Sequence, residues 1–138
     1  MSLRNFISLL LLLALPLFAK IERLTHNTYT TPKKNISKKQ LRKELLKASH
    51  EKFLIEYNEY FEEWLKDDSF FIECSEEVQS YIIEKVETYG QENMKTEIVR
   101  ETWIEKSYYL KTRIVFDPMQ ILRSINKSLE LHENSNEL

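Results

Sequence analysis

Acidic side chains are the most numerous groups in this sequence that could do chemistry. A glycosidase, for example, needs two carboxylates held at a fixed separation inside a cleft. In this chain of 138 residues the acids fall on the predicted faces and ends of helices, which favours a solvated acidic surface. We therefore predict no catalytic residue and no enzyme activity, with a small acidic-site hydrolase as an alternative. The carboxylates considered are Glu62, Glu63, Asp67, Asp68, Glu73, Glu76, Glu77, Glu84 and Glu87.

Cys74 and His50 are the remaining candidates for chemistry or regulation. Cys74 is the only cysteine, so the chain can form neither an internal disulfide nor a multi-cysteine zinc site. Nothing in the sequence points to a base that would activate the thiol, and we interpret Cys74 as a sheltered core residue. We expect His50 to be half-buried and hydrogen-bonded locally; a pH-responsive contact is the alternative.

Metal and cofactor sites are not predicted. No second histidine or cysteine stands at helical spacing from His50, and His26 and His132 lie in segments expected to be tails. The chain has a single glycine, which leaves no glycine-rich loop for binding phosphate groups. We therefore expect neither a metal ion nor a cofactor.

The first 19 residues have the pattern of a secretory signal peptide. Arg4 supplies the positive start, residues 6–18 are almost entirely apolar, and Ala19 is the expected residue before cleavage. We predict a periplasmic or secreted protein. The alternative is an uncleaved membrane anchor, favoured by the basic residues Lys20 and Arg23 directly after the run. Against it, the run forms only about 21 Å of helix, short of the roughly 30 Å hydrocarbon core.

Charge is unevenly distributed along the remaining chain. Residues 20–43 contain eight basic side chains against Glu22 alone, and residues 44–138 have a net charge of −10. Because residues 20–36 have few large apolar side chains, we predict a flexible basic arm there. An electrostatic contact is expected from Lys33, Lys34, Lys38, Lys39, Arg42 and Lys43.

The partner of this arm is predicted from charge alone. An anionic membrane surface would attract the basic side chains. A solvated linker that balances the acidic body is the alternative interpretation. Nucleic acid is not expected, because the acidic body would repel phosphates.

A long helix with an aromatic stripe follows the arm. Ser37, with Gln40 three residues later, predicts the start of a helix that ends near Lys66. Aromatic residues recur within it at steps of three and four, which predicts one continuous stripe. Such a stripe is typical of a protein core; the alternative is a surface that binds a protein partner or a second copy of the chain. The candidate contact residues are Phe53, Tyr57, Tyr60 and Trp64.

The rest of the chain predicts a single α+β domain over residues 37–131. Its fold class is a long N-terminal helix, a short strand, a helix, an antiparallel hairpin and a C-terminal helix. Asp117 and Pro118 are typical of the start of the last helix. The predicted elements after the long helix are a strand at 70–74, a helix from Ser75 to a glycine cap at Gly90, strands at 96–104 and 108–117, a helix from Pro118 to Leu131, and a polar tail over 132–138.

The stretch from Ser75 to Leu129 resembles a known pattern. It is similar to a family of small, roughly twenty-kilodalton bacterial envelope lipoproteins and to a related periplasmic domain of flagellar-assembly proteins. In these a helix leads to a β-hairpin and a short helix, as residues 99–104 and 108–117 and the helix from Pro118 do here. The lipoproteins have a lipid-bearing cysteine after the signal, which this chain lacks. The resemblance implies a structural role in the envelope or flagellum.

Together these patterns predict an exported, non-enzymatic module that binds or scaffolds an envelope protein through its aromatic-faced helix. The main alternative is a membrane-anchored stalk or coiled-coil protein that retains residues 1–19.

Overall fold

The computed structural model describes residues 21–33 and 35–136. The predicted signal peptide, residues 1–19, lies outside the described residues, as do Lys20 and Lys34. The described chain folds as an α+β structure, which confirms the predicted fold class. No helix within residues 21–33 and 35–136 is both long and apolar enough to cross a membrane.

A three-stranded antiparallel sheet forms one layer of the fold. Its strands are β1 (Glu22–Thr30), β2 (Glu97–Ile104) and β3 (Ser107–Phe116), in the order β1-β3-β2. The predicted alternation along β3 is confirmed, because every second side chain is buried beneath the helices. The buried residues of β3 are Tyr108, Leu110, Thr112, Ile114 and Phe116.

Strand β1 replaces most of the predicted flexible arm. It pairs with β3 along its whole length, from Glu22 opposite Phe116 to Thr30 opposite Tyr108. The prediction of a flexible arm is wrong for this segment. It rested only on the small number of large apolar side chains in the segment itself. An edge strand needs only one half-buried face, and the backbone ladder to β3 supplies the remaining stabilisation. The threonine-rich composition suits such a strand.

Helix α1 (Lys38–Lys66) crosses the sheet as the longest element. Its start is confirmed, since the Ser37 hydroxyl accepts a hydrogen bond from the Gln40 amide at 3.1 Å. At about 1.5 Å per residue its 29 residues extend about 43 Å. Buried positions run from Leu41 to Leu65, so most of this length packs against the body.

Helix α2 (Ser69–Glu73) stands where a short strand was predicted. Apolar, β-prone residues suggested the strand, but Asp68 caps a helical turn by accepting a hydrogen bond from the Phe71 amide at 2.9 Å. The Gln79 side chain then donates to the Phe71 carbonyl at 2.7 Å. These two polar contacts satisfy the backbone amide and carbonyl of Phe71 within the helical turn.

Helix α3 (Glu76–Asn93) starts at the predicted cap Ser75 but continues past Gly90. The prediction of Gly90 as a helix cap is wrong, because the helix continues to Asn93. The glycine is instead required for packing. A Cβ at position 90 would lie 2.5 Å from Tyr57 Cε1 and 2.9 Å from Cδ1. Gly90 therefore permits the close approach of α3 to the aromatic ring on α1.

Helix α4 (Pro118–Asn136) closes the domain. The Asp117 carboxylate accepts from the Met119 amide at 3.0 Å and caps the helix as predicted. The predicted polar tail at 132–138 is wrong as far as Asn136, because α4 continues through these residues. Its apolar side packs into the main core, which it shares with α1, α3 and β3.

We predict that Gly90→Ala lowers the free energy of unfolding by about 1–3 kcal/mol, the usual cost of overpacking a core. The cause is the clash with the Tyr57 ring, since alanine otherwise favours helices by up to about 1 kcal/mol. Urea unfolding followed by circular dichroism measures the change.

The control repeats the substitution in a Tyr57→Leu background. There the shorter side chain lacks the clashing ring carbon, and Gly90→Ala should become neutral or stabilising. Equal losses in both backgrounds would contradict the packing role of Gly90.

Candidate functional site

The structure divides the predicted aromatic contact residues into two pairs. Phe53 and Tyr57 are 0% exposed and belong to the core. The Tyr57 hydroxyl donates a hydrogen bond to the Val86 carbonyl at 2.9 Å, and burial raises the pKa of Tyr57 well above its usual value. The prediction of a partner-binding role is wrong for these two residues, because α3 and the sheet cover them.

Tyr60 and Trp64 lie at the edge of the helical layer and are half-buried. The Tyr60 ring packs against Phe116 with centroids 5.4 Å apart. Burial, followed by the neighbouring Glu22 carboxylate, raises the pKa of Tyr60 to about 12. Each side chain thus has one side in the core and another facing a surface groove.

This acidic–aromatic groove has a volume of about 570 Å³ and opens broadly to solvent. Six of its seven lining residues come from α1 and its C-terminal end, and the seventh comes from β1. The groove forms where the first strand lies beside the end of the long helix. Its lining residues are Leu24, Glu56, Glu59, Tyr60, Glu63, Trp64 and Asp67.

Carboxylates dominate the polar part of the groove. Glu59, Glu63 and Asp67 are exposed at spacings of four, which places them along one side of α1. Glu56 is nearer the core, where its Oε1 lies 3.1 Å from His26 Nε2. Glu63 and Asp67 were among the carboxylates considered from the sequence, whereas Glu56 and Glu59 were not. Their common spacing of three and four residues was the available signal.

The predicted electrostatic arm does not form one continuous basic segment. Lys33 is exposed in the connection after β1, while Lys38, Lys39, Arg42 and Lys43 belong to the first turns of α1. Arg42 is already engaged, because its Nε and Nη2 donate to the two carboxylate oxygens of Glu101 at 2.8 and 2.6 Å. Arg42 therefore makes an ion pair within the fold, and the electrostatic contact of these basic residues with an outside anion stays a prediction.

Glu101 on β2 forms ion pairs with two basic side chains at the start of α1. Lys38 Nζ also approaches it, at 3.5 Å from Oε1. The hydrogen bonds from Arg42 are the main cause of the lowered pKa of Glu101. This ion pair ties the helix start to the edge of the sheet.

His50 and Cys74 are both half-buried. His50 Nδ1 lies 2.9 Å from Thr96 Oγ1, so a hydrogen-bond partner is present, but it is 46 positions away in the chain rather than local. Cys74 follows α2 rather than ending a strand, and burial raises the pKa of its thiol. A raised pKa disfavours the nucleophilic thiolate.

The other histidines lie in folded elements rather than in tails. The His26 ring packs over Phe53 at 4.4 Å, and the His132 ring stacks on Tyr81 at 4.9 Å. Among residues 21–33 and 35–136, no three metal-ligating side chains are grouped closely enough to hold an ion.

We predict that Glu101→Gln changes how stability depends on pH. The folded pKa of Glu101 is lowered, so its stabilising contribution is complete above its ordinary pKa of 4.5 and is lost as pH falls through the lowered value. The variant should be less stable at neutral pH and should lose less stability on acidification below about pH 4.5. Urea unfolding at a series of pH values measures both effects.

Glu105→Gln, in the exposed turn between β2 and β3, is the matched control. Stability curves for Glu101→Gln and the wild type that run parallel below pH 4.5 would contradict the role of this ion pair.

The groove offers two kinds of contact to a bound molecule. Its aromatic side chains offer apolar contact, and its exposed carboxylates offer charge-assisted hydrogen bonds to basic groups.

The similarity of residues 75–129 to envelope lipoproteins stays a prediction from the sequence. No family model matches this chain, and neither a curated protein nor a solved structure matches it.

Proposed function

We propose that this protein is an exported, non-enzymatic binding or scaffolding module of the bacterial cell envelope. Its contact with a protein partner is made through the acidic–aromatic groove, with Tyr60 and Trp64 as the anchoring side chains. The observation that carries this proposal is the placement of four carboxylates around two half-buried aromatic rings. Phe53 and Tyr57 have no part in the contact, because they are fully buried.

The chemistry of the groove selects a partner with basic side chains. Glu59 and Glu63 would accept hydrogen bonds from lysine or arginine, and the Trp64 indole is the ring type that attracts cations most strongly. Aromatic anchors surrounded by polar residues are also the usual arrangement at binding hot spots. We therefore infer that a lysine- or arginine-rich segment of an envelope protein occupies the groove.

Export is supported by the order of segments along the chain. The apolar run at residues 6–18 is followed by Ala19, and β1 begins at Glu22. Cleavage after Ala19 would leave every described strand and helix intact. In the alternative, residues 1–19 are retained as an anchor and the chain acts as a membrane-bound stalk.

The hydrolase alternative would use the same groove carboxylates. General acid catalysis at neutral pH needs a carboxyl group whose pKa is raised by burial in a site that excludes water. Glu59, Glu63 and Asp67 are instead exposed in an open groove. Binding is therefore the function that the geometry supports better.

We predict that a hexa-arginine peptide binds the groove and changes the fluorescence of Trp64. A Trp103→Phe background leaves Trp64 as the only tryptophan. In that background, Glu59→Gln with Glu63→Gln should weaken peptide binding about fivefold, because two rim charges are lost. A fluorescence titration gives the dissociation constants, and hexa-glutamate should cause no change.

The matched control is Glu84→Gln with Glu92→Gln, which removes two exposed charges from α3. It keeps the net charge equal to that of the groove variant. Equal weakening by both double variants would show unspecific attraction and overturn the groove as the binding site.

We predict that the protein recovered from its native host has lost residues 1–19. The intact mass of a species in the soluble envelope fraction should correspond to a chain starting at Lys20. A full-length species found only in membranes, and resistant to washing with salt and carbonate, would overturn cleavage and favour the anchored alternative. This outcome would leave the groove experiment unaffected.

A further inference from the structure

The side of the sheet opposite the helices is uncovered within the described part of the chain. Residues of β3 that alternate with its buried positions point to this side, and the strand register places residues of β1 and β2 beside them. We call this surface the open sheet face. It consists of Arg23, Thr25, Asn27 and Tyr29 on β1, Ser107, Tyr109, Lys111, Arg113 and Val115 on β3, and Glu97, Arg100, Thr102 and Ile104 on β2.

Basic side chains dominate the open sheet face. It holds Arg23, Arg100, Lys111 and Arg113 against the single acid Glu97, a net charge of +3. Arg113 Nη2 donates to Glu97 Oε2 at 2.9 Å, so that pair neutralises itself. The remaining positive charges are Arg100 and Lys111 in the middle of the face and Arg23 near the start of β1.

The centre of the face carries a like-charged pair. Arg100 stands directly opposite Lys111 on neighbouring strands, and Asn27 is opposite Lys111 on the other side. Like charges at opposed positions of antiparallel strands destabilise a sheet. An anion bound over this position would remove that repulsion, which points to an anionic occupant.

Part of the helical side has the opposite charge. Helix α3 has five acidic residues against Lys85 alone, and the groove on α1 is acidic, whereas the first half of α1 is basic. An anionic surface would therefore attract the open sheet face and repel α3 and the groove.

Tyrosine side chains lie at one end of the face. Tyr29 stands opposite Tyr109 with ring centroids 4.7 Å apart, and Tyr29 is 62% exposed. The Tyr109 hydroxyl donates to Asn27 Oδ1 at 2.6 Å. Rings packed on each other and held in this way do not offer the separate stacking platforms that single-stranded nucleic acids use. They do match the amphipathic side chains found at the level of lipid headgroups.

We propose that the open sheet face docks onto an anionic lipid membrane. Its 10-residue central strand gives it a length of about 33 Å, so it presents an extended surface with charges at several positions to a layer of headgroups. The apolar run at residues 6–18 ends four positions before Glu22, where β1 begins. A retained run would hold the face against the bilayer, and a cleaved chain would bind peripherally through the face itself.

Cosedimentation with vesicles of the chain that starts at Lys20, which lacks the apolar run at residues 6–18, tests this proposal. Vesicles of phosphatidylcholine are compared with vesicles of equal parts phosphatidylcholine and phosphatidylglycerol. We expect tighter binding to the anionic vesicles, with a preference that weakens as salt screens the surface charges. Arg100→Gln with Lys111→Gln should reduce binding to the anionic vesicles about 30-fold, the effect of losing two near-surface basic residues. Binding to the neutral vesicles should not change.

Lys47→Gln with Lys52→Gln, on the exposed side of α1, is the control with the same charge change. Circular dichroism verifies that both double variants are folded. Equal affinity of the wild type for both vesicle types, or equal losses in the two variants, would overturn the proposal.

A fluorescent oligothymidylate separates lipid from nucleic acid as the occupant. We expect the wild-type protein to bind this probe only weakly. A Tyr29→Ala substitution in the wild type should leave that weak binding unchanged. Tight oligothymidylate binding that depends on Arg100 and Lys111, without a preference for anionic vesicles, would assign the face to nucleic acid and overturn the lipid assignment.

Discussion

The one-sided burial of β3 is the constraint on which the rest of the structure depends. Its alternate side chains are fully buried under the helices, while the intervening ones face away from them. A sheet of three strands cannot form a core alone, so α1, α3 and α4 must all pack on the same side. The other side stays open, and both surfaces discussed above follow from this asymmetry.

Packing of the helices on that one side depends on close contact at Tyr57. The ring lies against Gly90, and its hydroxyl satisfies the Val86 carbonyl. With α3 held so near, the first part of the aromatic stripe is covered. The stripe emerges only at Tyr60 and Trp64, beside Leu24 of β1, where the helical layer ends. The groove thus lies at the edge of the core, and it is bordered by carboxylates on the solvent-exposed side of α1.

The uneven distribution of charge is the second general feature. Acids concentrate on α3 and around the groove, and basic residues on the first half of α1 and the outer side of the sheet, although the whole chain has a net charge of only −2. A protein with this polarity can hold one side towards an anionic surface and the other towards a basic partner. The two proposed contacts therefore use opposite sides of the molecule and do not compete.

Local sequence patterns by themselves determined the helix starts at Ser37, Ser75 and Asp117, the hairpin and the alternation of β3. These features depend on caps and periodicities within a few residues. Only the tertiary structure decided that residues 22–30 form a strand, that Gly90 lies inside a helix, and which aromatic residues reach the surface. Each of these depends on a partner distant in the chain: β3 for the strand, Tyr57 for the glycine, and α3 for the stripe. Burial and strand pairing are properties of such distant contacts, which no local pattern contains.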